Sequence, residues 1–218
     1  RKSMSDNIKN HSKEENFWLS KFGENFLERN NSYEEINKYF NLEVGINVDE
    51  PYQKNFNELN RDISILEIGC NVGIKLEILK NMGFKNLTGI DINVNALKEG
   101  KKRNPDIKFI ESRIEELDTD SMKYDLVFTS AVLIHQNPNI LNSVIKKIIK
   151  ISKKYIFGYE YFSENLQGIE YRGNKGVLWK QNFPELFKKI EPNLKLKKLE
   201  KYKYLKKDLT DVAYLFEK

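Results

Sequence analysis

One cysteine and two histidines are all that this chain of 218 residues holds of the side chains that most often build disulfides or zinc sites. With Cys70 alone no internal disulfide can form, and a reducing, cytoplasmic setting is expected. The two histidines, His11 and His135, and the one thiol offer no zinc-spaced cluster, so no metal site is expected. A carboxylate site for magnesium is the form left open. Long apolar runs are missing too: no stretch approaches the roughly 20 residues that span a bilayer. Residues 1–16 are almost wholly polar and contain no secretory apolar core. Neither a repeat nor a low-complexity linker interrupts the chain.

Aliphatic and aromatic residues are ample, which excludes a disordered chain, and the length suits one α/β core. A net charge of +5 raises nucleic acid as a partner. Lysines crowd residues 188–207, where Leu-Lys-Leu-Lys-Lys-Leu and Lys-Tyr-Lys-Tyr-Leu partly alternate. Such alternation reads as an edge strand with a solvated lysine face, which discourages pairing between molecules. A basic groove with stacking tyrosines is the competing reading. The edge strand is preferred, and no nucleic-acid partner is expected.

The most informative segment is Ile65-Leu66-Glu67-Ile68-Gly69-Cys70-Asn71-Val72-Gly73, followed further on by Gly89-Ile90-Asp91. An apolar strand enters a glycine loop, and Val72, Leu76, Leu79 and Met82 then fall near helical spacing. These are the parts of a nucleotide cradle, because glycine lets backbone approach a ligand and tolerates positive φ. The next strand ends in Asp91, whose carboxylate can accept two ribose hydroxyl hydrogen bonds. A dinucleotide site needs Gly-x-Gly-x-x-Gly to clear a pyrophosphate. Here the pattern is Glu-x-Gly-x-x-x-Gly, with Asn71 where the middle glycine belongs, and Glu67 would repel a phosphate. A cationic ligand without phosphate fits better, and S-adenosylmethionine is such a ligand. The passage resembles motifs I and II of the class I S-adenosylmethionine-dependent methyltransferases.

The rest of the pattern predicts a Rossmann-like α/β fold: a seven-stranded, mostly parallel sheet with helices on both faces and an antiparallel C-terminal hairpin. Strands are expected at 63–68, 87–91, 107–110, 124–129, 155–161, 196–204 and 211–217. Helices are expected at 72–82, 93–103, 138–151 and 184–190. Residues 12–40 read as amphipathic helix interrupted by Gly23, so residues 1–50 are expected to form a helical lid on a core of residues 51–218.

A closer likeness rests on Asn16-Phe17-Trp18, Phe22-Gly23, Glu28-Arg29-Asn30, the run from Phe128 to His135, Glu160-Tyr161 and Tyr171-Arg172-Gly173. Together these resemble the pseudaminic acid biosynthesis-associated methylases, with Phe26 departing from that family's tyrosine. The resemblance implies a bacterial surface-glycan acceptor: a sugar, a nucleotide-sugar or a capsular phosphoramidate. It also implies roles. Glu67 would stand near the methionine ammonium, the backbone of Gly69, Cys70 and Asn71 along the methionine part, and Gly73 where the helix packs close. Asp91 would hold the ribose, Ile92 the adenine face, and Ser112, Arg113 and Ile114 the adenine edge. Thr129 and Ser130 would border the sulfonium. Arg29 is the candidate for the cofactor carboxylate, which a guanidinium fork matches, with a surface salt bridge as the equal alternative.

In-line positioning supplies most of the gain in methyl transfer, through effective molarities of roughly 10⁵–10⁸ M. A sugar hydroxyl also benefits from a base, and His135 is the first candidate, titrating near the ordinary imidazole value of roughly 6.5. Packing ahead of the Asn137-Pro138 helix start is its alternative role. Glu160 and Tyr161 are the rival base and acceptor-binding pair, and Tyr171 and Arg172 could close over an anionic acceptor. An RNA methyltransferase is the alternative function. Base amino-group methylation usually needs Asp/Asn-Pro-Pro-aromatic directly after the fourth strand, where Thr129-Ser130-Ala131-Val132 stands instead. A non-catalytic relative is disfavoured by the intact Glu67, Gly69, Gly73 and Asp91.

Overall fold

The computed structural model describes residues 11–29 and 32–218, with no side-chain description for residues 26–29. Period-two burial on the central strands builds the sheet. In β1 (Ser64–Ile68), Ile65 and Leu66 are both fully buried but point into different clusters on opposite faces. The parallel strands β2 (Asn86–Asp91), β3 (Lys108–Glu111), β4 (Tyr124–Ser130) and β5 (Ser152–Tyr161) extend it. A short antiparallel pair, β6 (Gln167–Gly168) and β7 (Trp179–Lys180), stands apart. A long hairpin of β8 (Lys195–Lys203) and β9 (Thr210–Glu217) then completes the main sheet. Its order is β3-β2-β1-β4-β5-β9-β8, with β9 antiparallel to β5.

Helices cover both faces. In chain order these are α1 (Lys13–Leu19), α2 (Lys21–Arg29), α3 (Tyr33–Glu43), α4 (Glu50–Phe56), α5 (Ile74–Asn81), α6 (Val94–Arg103), α7 (Pro138–Ile151) and α8 (Phe183–Ile190). α7 shows why they form. Pro138 presets the first turn, the Asn137 side chain accepts from the Asn139 N–H, and Leu141, Val144, Ile145, Ile148 and Ile151 make one buried stripe. One cluster joins Ile36, Val44, Val48, Phe56, Phe128 and Phe157, so part of the N-terminal helical region packs into the core beneath α3, α4 and α5. Each of these side chains contributes roughly 1.5–3 kcal/mol by leaving water.

The edge-strand reading of the lysines agrees with β8 at the end of the sheet, where Lys197 pairs with Glu217 at 3.1 Å. Three expectations need correction. Gly23 lies buried inside α2, because the Trp18 carbonyl occupies the space a Cβ would need; the helical region breaks at Ser20 instead. α4 lies where no helix is predicted, and forms because Tyr52, Asn55 and Phe56 bury one face of a short helix. The β6–β7 pair likewise lies outside the predicted strands.

Candidate active site

The sheet order reverses between β2 and β4 on either side of β1, and a cavity of about 800 Å³ opens at the carboxyl ends of these strands. Its floor is the loop after β1. Gly69, Asn71 and Gly73 all have left-handed backbone, with φ of 71, 51 and 80°. The N–H groups of Gly69 and Cys70 both donate to the Ile90 carbonyl, at 2.8 and 2.9 Å. A Cβ at Gly69 would run into the Val132 side chain, so the backbone itself forms the surface there. Asp91 joins this loop to the next: Oδ2 accepts from the Asn71 N–H and Oδ1 from the Asn93 N–H, both at 2.8 Å. Burial pushes its carboxyl up, against the pull of these amides.

Of the residues expected at the cofactor, Gly69, Cys70, Asn71, Asp91, Ile92, Ser112, Ile114 and Ser130 line the cavity. Cys70 is buried, and burial raises its thiol, so it is a packed residue of the loop and no nucleophile. Four others do not line it. The Glu67 carboxylate is buried beneath the loop, raised by burial and drawn down by Lys75. Gly73 starts α5 with the Phe109 ring packed where its side chain would be. Arg113 grips Glu15 of α1, with its Nη2 at 2.7 Å from Oε2. Thr129 is 2 % exposed and bonds Glu160. The Arg29 side chain lies outside the described part of the structure.

The other half of the cavity is built by the 3-10 turn Leu133–His135, the ends of β5 and β9, and the 168–176 loop. The His135 imidazole lies 2.7 Å through Nδ1 from the Val177 carbonyl. A carbonyl only accepts, so Nδ1 carries the proton and Nε2 the lone pair. Burial pushes this imidazole down to about 4, which corrects the ordinary value expected from sequence. Trp18 of α1 stands edge-on to it at 4.7 Å, and Tyr171 at 5.5 Å. Glu160 also lines the cavity, with its carboxylate held by the backbone. Oε1 accepts from the Val132 and Leu133 N–H groups at 3.2 Å, and Oε2 from the Ile134 N–H at 3.3 Å. It therefore holds the turn that carries His135. Tyr161 and Arg172 also line the cavity, Arg172 with φ of 48°.

Residues 65–154 match the methyltransferase domain family. The chain carries a methyltransferase domain. Malonyl-[acyl-carrier protein] O-methyltransferase of Priestia megaterium is 33 % identical over 101 residues, which cover 45 % of this chain and 36 % of that protein. The Campylobacter jejuni ubiquinone/menaquinone biosynthesis C-methyltransferase is 30 % identical over 78 residues, 33 % of each chain. The matched part thus spans about a third of these curated relatives. Among solved structures, magnesium protoporphyrin IX methyltransferase from Synechocystis with bound S-adenosylmethionine superposes with a TM-score of 0.68. It is 13 % identical, and 94 % of each chain is covered. The fold is that of the S-adenosylmethionine-dependent methyltransferases.

Sequence reasoning missed two polar contacts of this fold. Tyr52 on α4 donates from its hydroxyl to Ser130 Oγ at 2.9 Å, fixing the end of β4. Asp211 accepts from the Tyr159 hydroxyl at 2.7 Å. A signal existed for Asp211: it is a lone carboxylate opening the apolar run Val212–Phe216.

Proposed function

We propose that the protein transfers a methyl group from S-adenosylmethionine to an oxygen of a bacterial surface-glycan precursor, a sugar, nucleotide-sugar or capsular phosphoramidate. The observation that carries the reading is the Asp91 carboxylate, tied to both cradle loops and open to the same cavity as His135. The cofactor supplies an electrophilic methyl on a good leaving group. Asp91 keeps lone pairs for the ribose hydroxyls, and the bare backbone at Gly69 admits the methionine part. Ser130 would border the sulfonium, and His135 Nε2 would accept a hydrogen bond from the methyl acceptor. The helices within residues 1–50 act as a lid, with Glu15 held by Arg113 and Trp18 against His135. Arg172 and Lys207 line the cavity and suit an anionic substituent on the acceptor.

Asp91→Ala tests the cofactor site. Losing a charged hydrogen-bond partner should cost on the order of 1.5–3 kcal/mol of S-adenosylhomocysteine affinity, read by calorimetry. The Tm of the same variant separates lost ribose contacts from a loosened cradle. Unchanged affinity would remove Asp91 from the site.

The surface lysines lead to a second expectation. Lys189, Lys197, Lys201 and Lys207 each have a carboxylate within 4 Å, which offsets part of the charge of that stretch. RNA binding should be weak and vanish at physiological salt, because counterion release would be its only source. Tight, salt-resistant binding to one RNA would favour the RNA methyltransferase reading.

A further inference from the structure

We propose that Asp211 anchors the methyl acceptor: its Oδ1 accepts a hydrogen bond from an O–H or N–H on the rim of a sugar ring seated among Tyr159, Tyr161 and Tyr204. This deepens the methyltransferase reading above and rests on it. Asp211 opens β9 and pairs in register with Tyr161 of β5. Directly paired residues share a face, and Tyr159, two residues earlier on its strand, shares it too. All four residues line the cavity. Asp211 is 1 % exposed; Oδ2 takes the Tyr159 hydroxyl at 2.7 Å, and Oδ1 has no hydrogen-bond partner among the described residues. A buried carboxylate oxygen without a donor is costly, and natural interiors carry few of them. A ligand donor that fills the pocket removes that cost.

The walls say what kind of ligand this is. Tyr161 and Tyr204 stand edge to face at 6.3 Å, and Phe40 lies 5.8 Å from Tyr159. Aromatic surface around one carboxylate selects a compact molecule with an apolar face and a donor at its edge, which describes a pyranose or an amino sugar. Phosphate is repelled at this point and belongs at the mouth, near Arg172 and Lys207. Two strand spacings separate β4, where methyl transfer takes place, from β9, about 10 Å in all. Asp211 therefore reads the far rim of the acceptor and is a binding residue. Burial, stronger than the opposing Tyr159 hydrogen bond, leaves its carboxyl at about 7, able to meet either a hydroxyl or an ammonium.

The test is saturation-transfer NMR on the full chain held with S-adenosylhomocysteine. The probes are methyl glycosides of common hexoses and amino hexoses, with permethylated glycosides as the donor-free controls. At least one hydroxylated or amino probe should bind the wild type and its permethylated counterpart should not. Asp211→Asn and Asp211→Ala should weaken that binding tenfold or more, with S-adenosylhomocysteine affinity unchanged by calorimetry. The asparagine variant keeps the side-chain volume, so it answers even if alanine fails to fold. Equal binding to the variants, equal binding of permethylated probes, or no probe binding with S-adenosylhomocysteine bound would overturn the proposal alone. A wild type that does not bind S-adenosylhomocysteine would overturn the methyltransferase reading and this proposal with it.

Discussion

Replacing His135 by alanine should lower kcat about 100-fold while leaving cofactor affinity nearly intact. The Val177 carbonyl fixes the proton on Nδ1, so Nε2 always offers its lone pair at neutral pH. Burial weakens the base, which places the expected factor at the low end of the roughly 10²–10⁴ range for general bases. The sign in pH follows. Activity is lost only when Nε2 takes up a proton, and burial holds that step at about 4. The wild-type rate should therefore be insensitive to this imidazole from pH 6 to 8, where an unburied one would titrate at roughly 6.5. A milder loss in His135→Asn would point to positioning of the acceptor by hydrogen bonding. Parallel losses of Tm and activity in His135→Ala, with no separate effect on kcat, would assign it to packing.

Glu160→Ala should destabilise the fold by about 3 kcal/mol or more, since each buried amide left without an acceptor costs about 1–3 kcal/mol. Three amides of residues 132–134 and the Thr129 side chain lose their partner together. Glu160→Gln keeps one acceptor oxygen and should fall between. A thermal melt of both variants checks the order; a Glu160→Gln variant of wild-type Tm but no turnover would return the base role to Glu160. Burial raises the folded-state carboxyls of Glu160 and Asp211 to about 7, above their unfolded values near 4. The native state then holds protons that the unfolded state has released, so stability falls as pH rises through 7. His135, depressed by burial, acts in the opposite direction only below about 6.5. The clean window is therefore pH 6.5–8, where wild-type Tm should decline and Glu160→Gln should lose part of that slope.

The strands of the main sheet and the helices from residue 64 onward were legible because each writes its period locally: Ile65 and Leu66 alternate, and the α7 stripe repeats. So was the cradle, because positive φ at Gly69 and Gly73 leaves a glycine in the sequence. Asn71 takes the same backbone without one, and spacing alone exposed it. Long-range partnerships were not legible. Arg113 carries no mark that it reaches a helix almost a hundred residues earlier. Glu160 looks like any carboxylate at a strand end until the 3-10 turn folds three amides onto it. α4 escaped notice because its buried face mixes Pro51 and Asn55 with Tyr52 and Phe56, which blurs the helical period.

The contact between Trp18 and His135 has an optical consequence. The chain has two tryptophans: Trp18 stands edge-on to the imidazole, and Trp179 lies in the short strand after Val177. Indole emission depends on what lies against the ring, and a neutral imidazole and an imidazolium quench it differently. The molecule thus carries an unlabelled reporter whose colour and brightness follow the charge on His135 and the seating of the N-terminal helices over the cleft.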